Sequence, residues 1–197
     1  MKVVGLTGGV GMGKSAAAQL IRSRGIPVID TDELAREVVE PGQPALAEVR
    51  RIFGADVVGP DGSLRRDVLA RRVFADPEVR RQLEAILHPR IRQLWRARVQ
   101  FWAAEGRRLA VVVIPLLFET DAQHELDAVI CVACSARTQH QRLLVRGWPP
   151  EHIEQRIRAQ WPVEKKMAAA DYVIWTEADL DLHEAQLERI ISRIAIK

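Results

Sequence analysis

Residues 8–15 read GGVGMGKS, and this short segment indicates how the chain begins to fold. It follows an apolar run, KVVGLT at 2–7, and precedes a helix pattern, SAAAQLIRSRG at 15–25. The spacing Gly-x-x-x-x-Gly-Lys-Ser between a strand and a helix is that of a phosphate-binding loop, or P-loop. Its glycines let successive backbone N–H groups turn inward around a phosphate, and the helix adds the positive end of its dipole. The segment therefore predicts a strand–loop–helix unit that binds a nucleoside triphosphate.

The P-loop pattern also assigns chemistry to individual side chains. We expect Lys14 to reach the β- and γ-phosphate oxygens and to act in catalysis. We expect the Ser15 hydroxyl to be a ligand of Mg²⁺. The residues predicted to bind the nucleotide in this loop are Gly9, Val10, Gly11, Met12, Gly13, Lys14, Ser15 and Ala16.

The charge balance and the apolar runs exclude several classes of protein. The 197 residues include 29 lysines and arginines against 26 aspartates and glutamates, a formal net charge of +3. So mild an excess predicts neither a nucleic-acid partner nor a membrane-surface partner. The longest apolar run, LAVVVIPLLF at 109–118, is far shorter than the roughly 20 residues of a membrane-spanning helix. The chain begins in a strand pattern rather than a signal peptide, so we expect a cytoplasmic protein. No feature of the sequence indicates an obligate protein partner, and we expect none.

Cys131 and Cys134 form a C-x-x-C pair in the strand-like segment AVICVAC. The sequence has no second pair and no adjacent histidine set, so the spacing of a zinc site is incomplete. Alternation along a strand would place the two thiols on opposite faces. We therefore expect buried structural cysteines rather than a metal or redox site.

Strand and helix patterns alternate over much of the chain. IPVID at 26–30 follows the first helix, which completes a βαβ unit and predicts a parallel sheet. We predict an α/β doubly wound domain, in which a parallel β-sheet of five strands is flanked by helices. The predicted strands are residues 2–7, 26–30, 108–114, 127–133 and 171–175.

A long segment without strand patterns interrupts this alternation between Pro41 and Arg108. One helix is enough to join two parallel strands, so the additional helices predict a separate lobe. We expect residues 1–31 and 108–197 to form the nucleotide-binding core and residues 32–107 to form the helical lobe. The predicted helices of the lobe are residues 44–53, 67–75, 76–87 and 89–105.

Phosphoryl transfer needs a group that orients or deprotonates the acceptor hydroxyl. Asp30 and Asp32 lie at the C-terminal end of the second predicted strand, the edge at which α/β sheets bind ligands. Asp32 is the better candidate because it lies just past the strand. A helix N-cap is the alternative role of Asp32, and Asp30 is the alternative base.

Two arginines in a later helix indicate a second part of the site. Arg142 and Arg146 are one helical turn apart and precede the helix-breaking sequence GWPP. In small kinases a mobile lid carries such arginines over the phosphates. We predict that both bind the nucleotide and that Arg142 acts in catalysis, with a solvated arginine face as the alternative.

Seven segments, in order over about 170 residues, give the chain a more specific resemblance. In these segments it resembles the dephospho-CoA kinase family, and LHP and PLLFE are more diagnostic than the P-loop. The segments are GLTGGVGMGKS at 5–15, VIDTDELAREVVEPG at 28–42, LHP at 87–89, VIPLLFE at 113–119, Gln139 with Arg142, RIRAQ at 156–160 and ADYVI at 170–174.

The resemblance implies transfer of the γ-phosphate of ATP to the 3′-hydroxyl of dephospho-CoA, which gives CoA and ADP, with Asp32 as general base. It implies a P-loop kinase-type sheet with a CoA-binding helical lobe and a small lid at about 146–162. Arg66, in a lobe helix, is our candidate for the substrate's pyrophosphate, with simple solvent exposure as the alternative. For His88 the alternative is a core histidine at a helix boundary before proline. The acceptor-binding residues implied are Asp32, His88, Pro89, Pro115, Leu117, Phe118 and Glu119.

The chain departs from the family's pattern at three places. Ala16 stands where the family often has threonine, and Ser15 still supplies the magnesium ligand. Residues 175–177, Trp-Thr-Glu, replace an asparagine–glycine turn near the adenine, so we expect the base to be recognised differently. The lid opens with Gly-Trp-Pro-Pro at 147–150, which is stiffer than a polar opening.

Two rival functions follow from a P-loop alone. One is another small-molecule kinase that acts on a nucleoside monophosphate, shikimate or gluconate. The other is a nucleotide-gated regulatory module, which usually pairs the P-loop with Asp-x-x-Gly or with an aspartate after an apolar run. Here the run AVVVIPLLFE at 110–119 reaches Pro115 without such an aspartate, which favours the kinase.

Overall fold

The computed structural model describes residues 1–196, and a parallel sheet is the centre of this part of the chain. The strands are β1 (Lys2–Thr7), β2 (Val28–Asp30), β3 (Leu109–Val113), β4 (Ala128–Ala133) and β5 (Tyr172–Trp175). Within residues 1–196 these five strands lie in the order β2-β3-β1-β4-β5, and each pair of neighbours is parallel. All six residues of β4 are buried, as expected for a parallel strand covered on both faces. The predicted α/β fold is confirmed.

Helices connect the strands and fill the segment between β2 and β3. The two short 3₁₀ helices of the described chain cover Ala55–Val57 and Ala122–Glu125. The helix that begins directly after Pro162, at Val163–Ala169, was not predicted from the sequence. The α-helices of the described residues are α1 (Lys14–Ser23), α2 (Thr31–Glu37), α3 (Pro44–Phe53), α4 (Arg66–Ala75), α5 (Pro77–Ala104), α6 (Ala136–Val145), α7 (Pro150–Arg158), α8 (Val163–Ala169) and α9 (Leu180–Ile196).

Helix α5 corrects one prediction, because it runs through Pro89 without a break. The sequence pattern predicts two helices here, with His88 at their boundary. Proline in a helix removes one N–H donor from the backbone ladder. Arg90 Nη1 donates to the Ile86 carbonyl at 2.6 Å, and Arg90 Nη2 pairs with Glu48 Oε2 on α3 at 2.6 Å. This side chain ties α5 to α3 one residue after the proline, where the sequence pattern predicts a break.

Contacts among the described residues divide the chain into two compact units. The first contains Met1–Asp30 and the residues from Phe101 onward, and the second is Thr31–Gln100. Fully buried side chains in the first unit come from the sheet and from α1 and α9, and include Leu6, Ile21, Ile130 and Leu187. The second unit has its own apolar core from α2 to α5, which includes Val49, Phe53, Val57 and Ile86.

The connections of the sheet place a crevice in the first unit. From central β1 the chain goes to β2 on one side, and from β3 it goes to β4 on the other. In an open α/β sheet, ligands bind beyond the carboxyl ends of the strands where the connections change side. Here that point lies between β1 and β3, which pair from Lys2↔Leu109 to Leu6↔Val113. The P-loop follows β1 and the segment PLLFE follows β3, so both lie at this point.

Within residues 1–196, no helix is both long enough and apolar enough to cross a membrane.

Candidate active site

The P-loop backbone takes conformations that require glycine. Gly8, Gly11 and Gly13 have φ values of 146°, 77° and 98°. A Cβ on Gly8 would overlap the carbonyl oxygen of Val132, and a Cβ on Gly11 would lie 2.9 Å from Leu143 Cγ. Positive φ and close neighbours therefore both exclude larger residues, and the loop can turn its N–H groups inward.

Lys14 lies across the loop that precedes it. Its Nζ donates to the carbonyl oxygens of Gly8 at 2.8 Å and Gly9 at 2.9 Å. Helix α1 begins at Lys14, and Ser15 is exposed in its first turn. The first N–H groups of a helix have no partner within the helix, so this end combines backbone donors, a dipole and an ammonium group. Such a set binds an anion.

The segment after β3 is held against the end of β1. The Pro115 carbonyl accepts hydrogen bonds from Thr7 Oγ1 at 3.3 Å and from Lys166 Nζ at 2.8 Å. Leu117 is fully buried and packs against β1, since its Cδ1 would lie 2.6 Å from a Cβ placed on Gly5. Its side chain can therefore pack beneath the wall of a pocket, but it is not on the surface of one. Phe118 is also buried and stacks on Trp161, with ring centroids 5.9 Å apart.

Lys166 was missed in the sequence analysis, and it is fully buried in α8. Its Nζ pairs with Glu119 Oε1 at 2.8 Å, and the same oxygen accepts the Trp161 N–H at 2.8 Å. Glu119 Oε2 is buried and has no hydrogen-bond partner among the described residues. A buried carboxylate oxygen of this kind can accept a hydrogen bond from a ligand.

Arg142 is held by Thr176, which belongs to the segment 175–177 that follows β5. Its Nη1 donates to Thr176 Oγ1 at 2.9 Å, and its Nη2 donates to the Thr176 carbonyl. Thr176 is buried, and its hydroxyl donates to the Met12 carbonyl at 3.0 Å. The loop after β5 thus joins Arg142 to the P-loop, whereas Arg146 is exposed at the end of α6.

Glu177 makes the same loop rigid on its outer side. Its Oε1 accepts hydrogen bonds from the Ser135 N–H at 3.1 Å, from the Ser135 hydroxyl and from Thr138 Oγ1 at 2.6 Å. Its Oε2 accepts one from Trp175 Nε1 at 2.9 Å. These bonds, led by that from the Ser135 hydroxyl, lower the pKa of Glu177 to about 2, so it is ionised at neutral pH.

Residues within and beside the predicted lid, 146–162, contact one another. The Arg156 guanidinium lies 4.7 Å from the ring centroid of Trp148, which is a cation–π geometry. His140 Nε2 on α6 lies 3.2 Å from Glu154 Oε1 on α7. The stiff opening at 147–150 therefore carries an aromatic ring that holds an arginine of α7.

The second unit carries the remaining predicted residues. Asp32 is exposed inside the first turn of α2, because that helix begins at Thr31. Arg66 is the exposed first residue of α4. His88 and Pro89 are exposed on α5. Partial burial lowers the pKa of His88, against the effect of Glu84 and with that of Arg92, so the imidazole is largely neutral at pH 7.

The two cysteines are free thiols and both are buried, as predicted. Burial raises the pKa of Cys131 to about 11, which keeps this thiol protonated at neutral pH. Among the described residues, no group of three His, Cys, Asp or Glu side chains is arranged to hold a metal ion. The pair therefore contributes to packing.

Comparisons with known proteins agree with this geometry. The family model described as dephospho-CoA kinase matches residues 2–181. The dephospho-CoA kinase of Anaeromyxobacter dehalogenans is 50% identical over 175 residues, 88% of this chain and 83% of the relative. That of Bdellovibrio bacteriovorus is 42% identical over 194 residues, 98% of this chain and 94% of the relative. A crystal structure from Thermus thermophilus superposes with a TM-score of 0.84 at 35% identity, over 98% of this chain and 97% of that one. The chain belongs to the dephospho-CoA kinase family.

Proposed function

We propose that the P-loop of this chain binds ATP and that Asp32 activates the 3′-hydroxyl of dephospho-CoA to receive the γ-phosphate. Membership of the family makes the chain an ATP-dependent kinase with dephospho-CoA as acceptor. The observation that carries the proposal is the glycine loop around Lys14, whose Nζ lies within 2.9 Å of two loop carbonyls. The rival kinases and the regulatory module are not favoured.

Donor binding is assigned to the residues 9–16 of the P-loop. Lys14 exchanges its bonds to Gly8 and Gly9 for bonds to phosphate oxygens, since a phosphate is the better partner for an ammonium group. Arg142 and Arg146 complete this side of the site. Because two bonds to Thr176 hold Arg142, its guanidinium is pre-organised, and it loses little side-chain entropy when the nucleotide binds.

The oxygen donors at this site fit Mg²⁺. In phosphoryl-transfer sites Mg²⁺ takes one or two protein ligands beside phosphates and waters, so a cluster of acidic residues is not required. The exposed hydroxyl of Ser15, in the first turn of α1, is the protein ligand that we assign. When bound, Mg²⁺ neutralises negative charge on the β- and γ-phosphate oxygens.

One group of residues assigned to acceptor binding lies in the segment after β3. Pro115 and Glu119 present a fixed edge after β3, with Phe118 and Leu117 packed around it, and Glu119 Oε2 is available for a hydrogen bond from the acceptor. The helical lobe, residues 32–107, holds the rest of dephospho-CoA. We assign its phosphates and adenosine end to Arg66, His88 and Pro89, and the covering lid to residues 146–162.

The decisive experiment measures ADP release by the purified chain with Mg²⁺ and ATP, using a coupled assay. Release is expected to rise with dephospho-CoA and not with AMP, CMP, shikimate or gluconate. If dephospho-CoA does not accelerate release, the proposed function is wrong.

The role of Asp32 is tested separately with Asp32→Asn, which keeps the shape of the side chain. Loss of a general base costs about 10²- to 10⁴-fold in turnover, while ATP binding should persist. Asp30→Asn is the matched control. A large loss for Asp30→Asn with none for Asp32→Asn would transfer the role to Asp30.

A further inference from the structure

Two glutamines bind opposite sides of Val10 in the P-loop. Gln139 Nε2 donates to the Val10 carbonyl at 2.8 Å, and Gln160 Oε1 accepts the Val10 N–H at 3.0 Å. The N–H belongs to the peptide between Gly9 and Val10, and the carbonyl belongs to the peptide between Val10 and Gly11. Two successive peptide groups of the loop are therefore held by side chains from elsewhere in the chain.

The two glutamines lie near opposite ends of the proposed lid, residues 146–162. Gln139 is buried, with 5% of its surface exposed, in α6 before the lid opens. Gln160 is partly buried and lies two residues after the end of α7. The lid residues 146–162 thus begin after one of these contacts and contain the other near their end. The N–H of the next residue, Trp161, donates to Glu119 Oε1. Gln160 is therefore held through its side chain by Val10, and the backbone directly after it is held by Glu119.

The contacts matter because the P-loop acts through its backbone. Binding of phosphate requires several N–H groups aimed at one point, and glycines make the loop free to lose that arrangement. Gly11, directly after Val10, has a positive φ of 77°. An amide side chain suits both contacts, since one needs a donor and the other an acceptor. A group arranged before the ligand arrives reduces the entropy lost on binding.

We propose that Gln139 and Gln160 are positioning residues that hold the Val10 peptides in the ATP-binding conformation and couple both ends of the lid to the P-loop. They act through Val10 and touch neither substrate. The inference rests on the proposed function, because it takes ATP as the ligand of the loop. Weaker ATP binding, with little change in the affinity for dephospho-CoA, is its distinguishing consequence.

The test uses Gln139→Met and Gln160→Met, which keep the side-chain length and remove one hydrogen bond each. Gln19→Met on α1 and Gln141→Met on α6 are matched controls, because both glutamines are exposed. The dissociation constant for ATP is measured by displacement of a fluorescent ATP analogue, and KM is measured for both substrates. One hydrogen bond corresponds to roughly a 3- to 10-fold change in affinity.

We expect Gln139→Met and Gln160→Met each to raise the dissociation constant and the KM for ATP by roughly 3- to 10-fold. The KM for dephospho-CoA should change by no more than about twofold. The controls should match the unsubstituted chain. Amide hydrogen exchange of the ligand-free P-loop should accelerate in Gln160→Met and not in Gln141→Met. These readouts separate positioning from a structural role, which would lower only the unfolding temperature.

The proposal is overturned if Gln139→Met and Gln160→Met bind ATP as tightly as the controls do. It is also overturned if the KM for dephospho-CoA rises by the same factor as the KM for ATP. Failure of the proposed function gives a different result. In that case the unsubstituted chain binds ATP but dephospho-CoA does not accelerate ADP release.

Discussion

Replacing Lys166 by methionine tests whether the buried ion pair holds the segment after β3. Lys166 is 0% exposed, and its Nζ lies 2.8 Å from both Glu119 Oε1 and the Pro115 carbonyl. The substitution leaves the Glu119 carboxylate, only 15% exposed, without its counter-charge. Removal of one partner of a buried pair costs about 3–5 kcal/mol. For a chain of this size, 1 kcal/mol corresponds to about 2–4 °C, so we expect unfolding about 6–20 °C lower.

Thermal unfolding followed by circular dichroism at pH 7 measures this effect. Lys165→Met is the matched control, because Lys165 is exposed and its Nζ lies over the Trp161 ring, 3.3 Å from the centroid. An exposed cation–π contact contributes about 0.5–1 kcal/mol, which corresponds to a few degrees at most. The double variant Lys166→Met/Glu119→Gln removes both charges and should recover much of the loss. If Lys166→Met and Lys165→Met unfold at the same temperature, the reasoning is refuted.

Three further predictions concern the loop and its neighbours. Lys14→Met should lower turnover by about 10²- to 10³-fold, because a donor to the developing charge is lost, and a change below tenfold in the ADP assay would contradict this. Gly8→Ala should destabilise the fold by at least about 1 kcal/mol in urea unfolding, since its Cβ would overlap the Val132 carbonyl at a φ of 146°; an unchanged midpoint would argue against it. The pKa of Glu177, about 2 against an ordinary 4.5, predicts a stabilising effect that is complete above pH 4.5 and is lost as pH falls toward 2. The difference in melting temperature between the unsubstituted chain and Glu177→Gln should therefore shrink over that range, and a difference that grows would exclude this explanation.

Local sequence was sufficient wherever one short segment carries the structure. The P-loop could be predicted because its glycines, Lys14 and Ser15 are contiguous, and their spacing alone determines the strand–loop–helix geometry. The strands could be predicted because buried parallel strands are continuous apolar runs. The βαβ pattern at the beginning of the chain predicted that the strands are parallel, but it did not predict that β3 lies between β1 and β2.

Local patterns were insufficient where a distant contact outweighs them. Proline predicts a helix end before position 89, yet α5 continues, with Arg90 bound to the Ile86 carbonyl and to Glu48. The tripeptide at 175–177 predicts only a change near the base. Thr176, the threonine of this tripeptide, binds both Arg142 and Met12, which lie 34 and 164 residues earlier in the chain.

The class of fold, the P-loop and the family can be predicted from the sequence, because they depend on contiguous residues and on their order. Which polar side chains are buried, and which groups they bind, depends on contacts between distant parts of the folded chain. In EKKM at 164–167, Lys165 and Lys166 are indistinguishable by pattern, yet one is exposed and the other is fully buried on Glu119. Gln160 likewise becomes interpretable only beside Val10, 150 residues earlier. The physical reason is that a buried charge or amide is stable only with a partner, and that partner is supplied by chain folding rather than by neighbours in sequence.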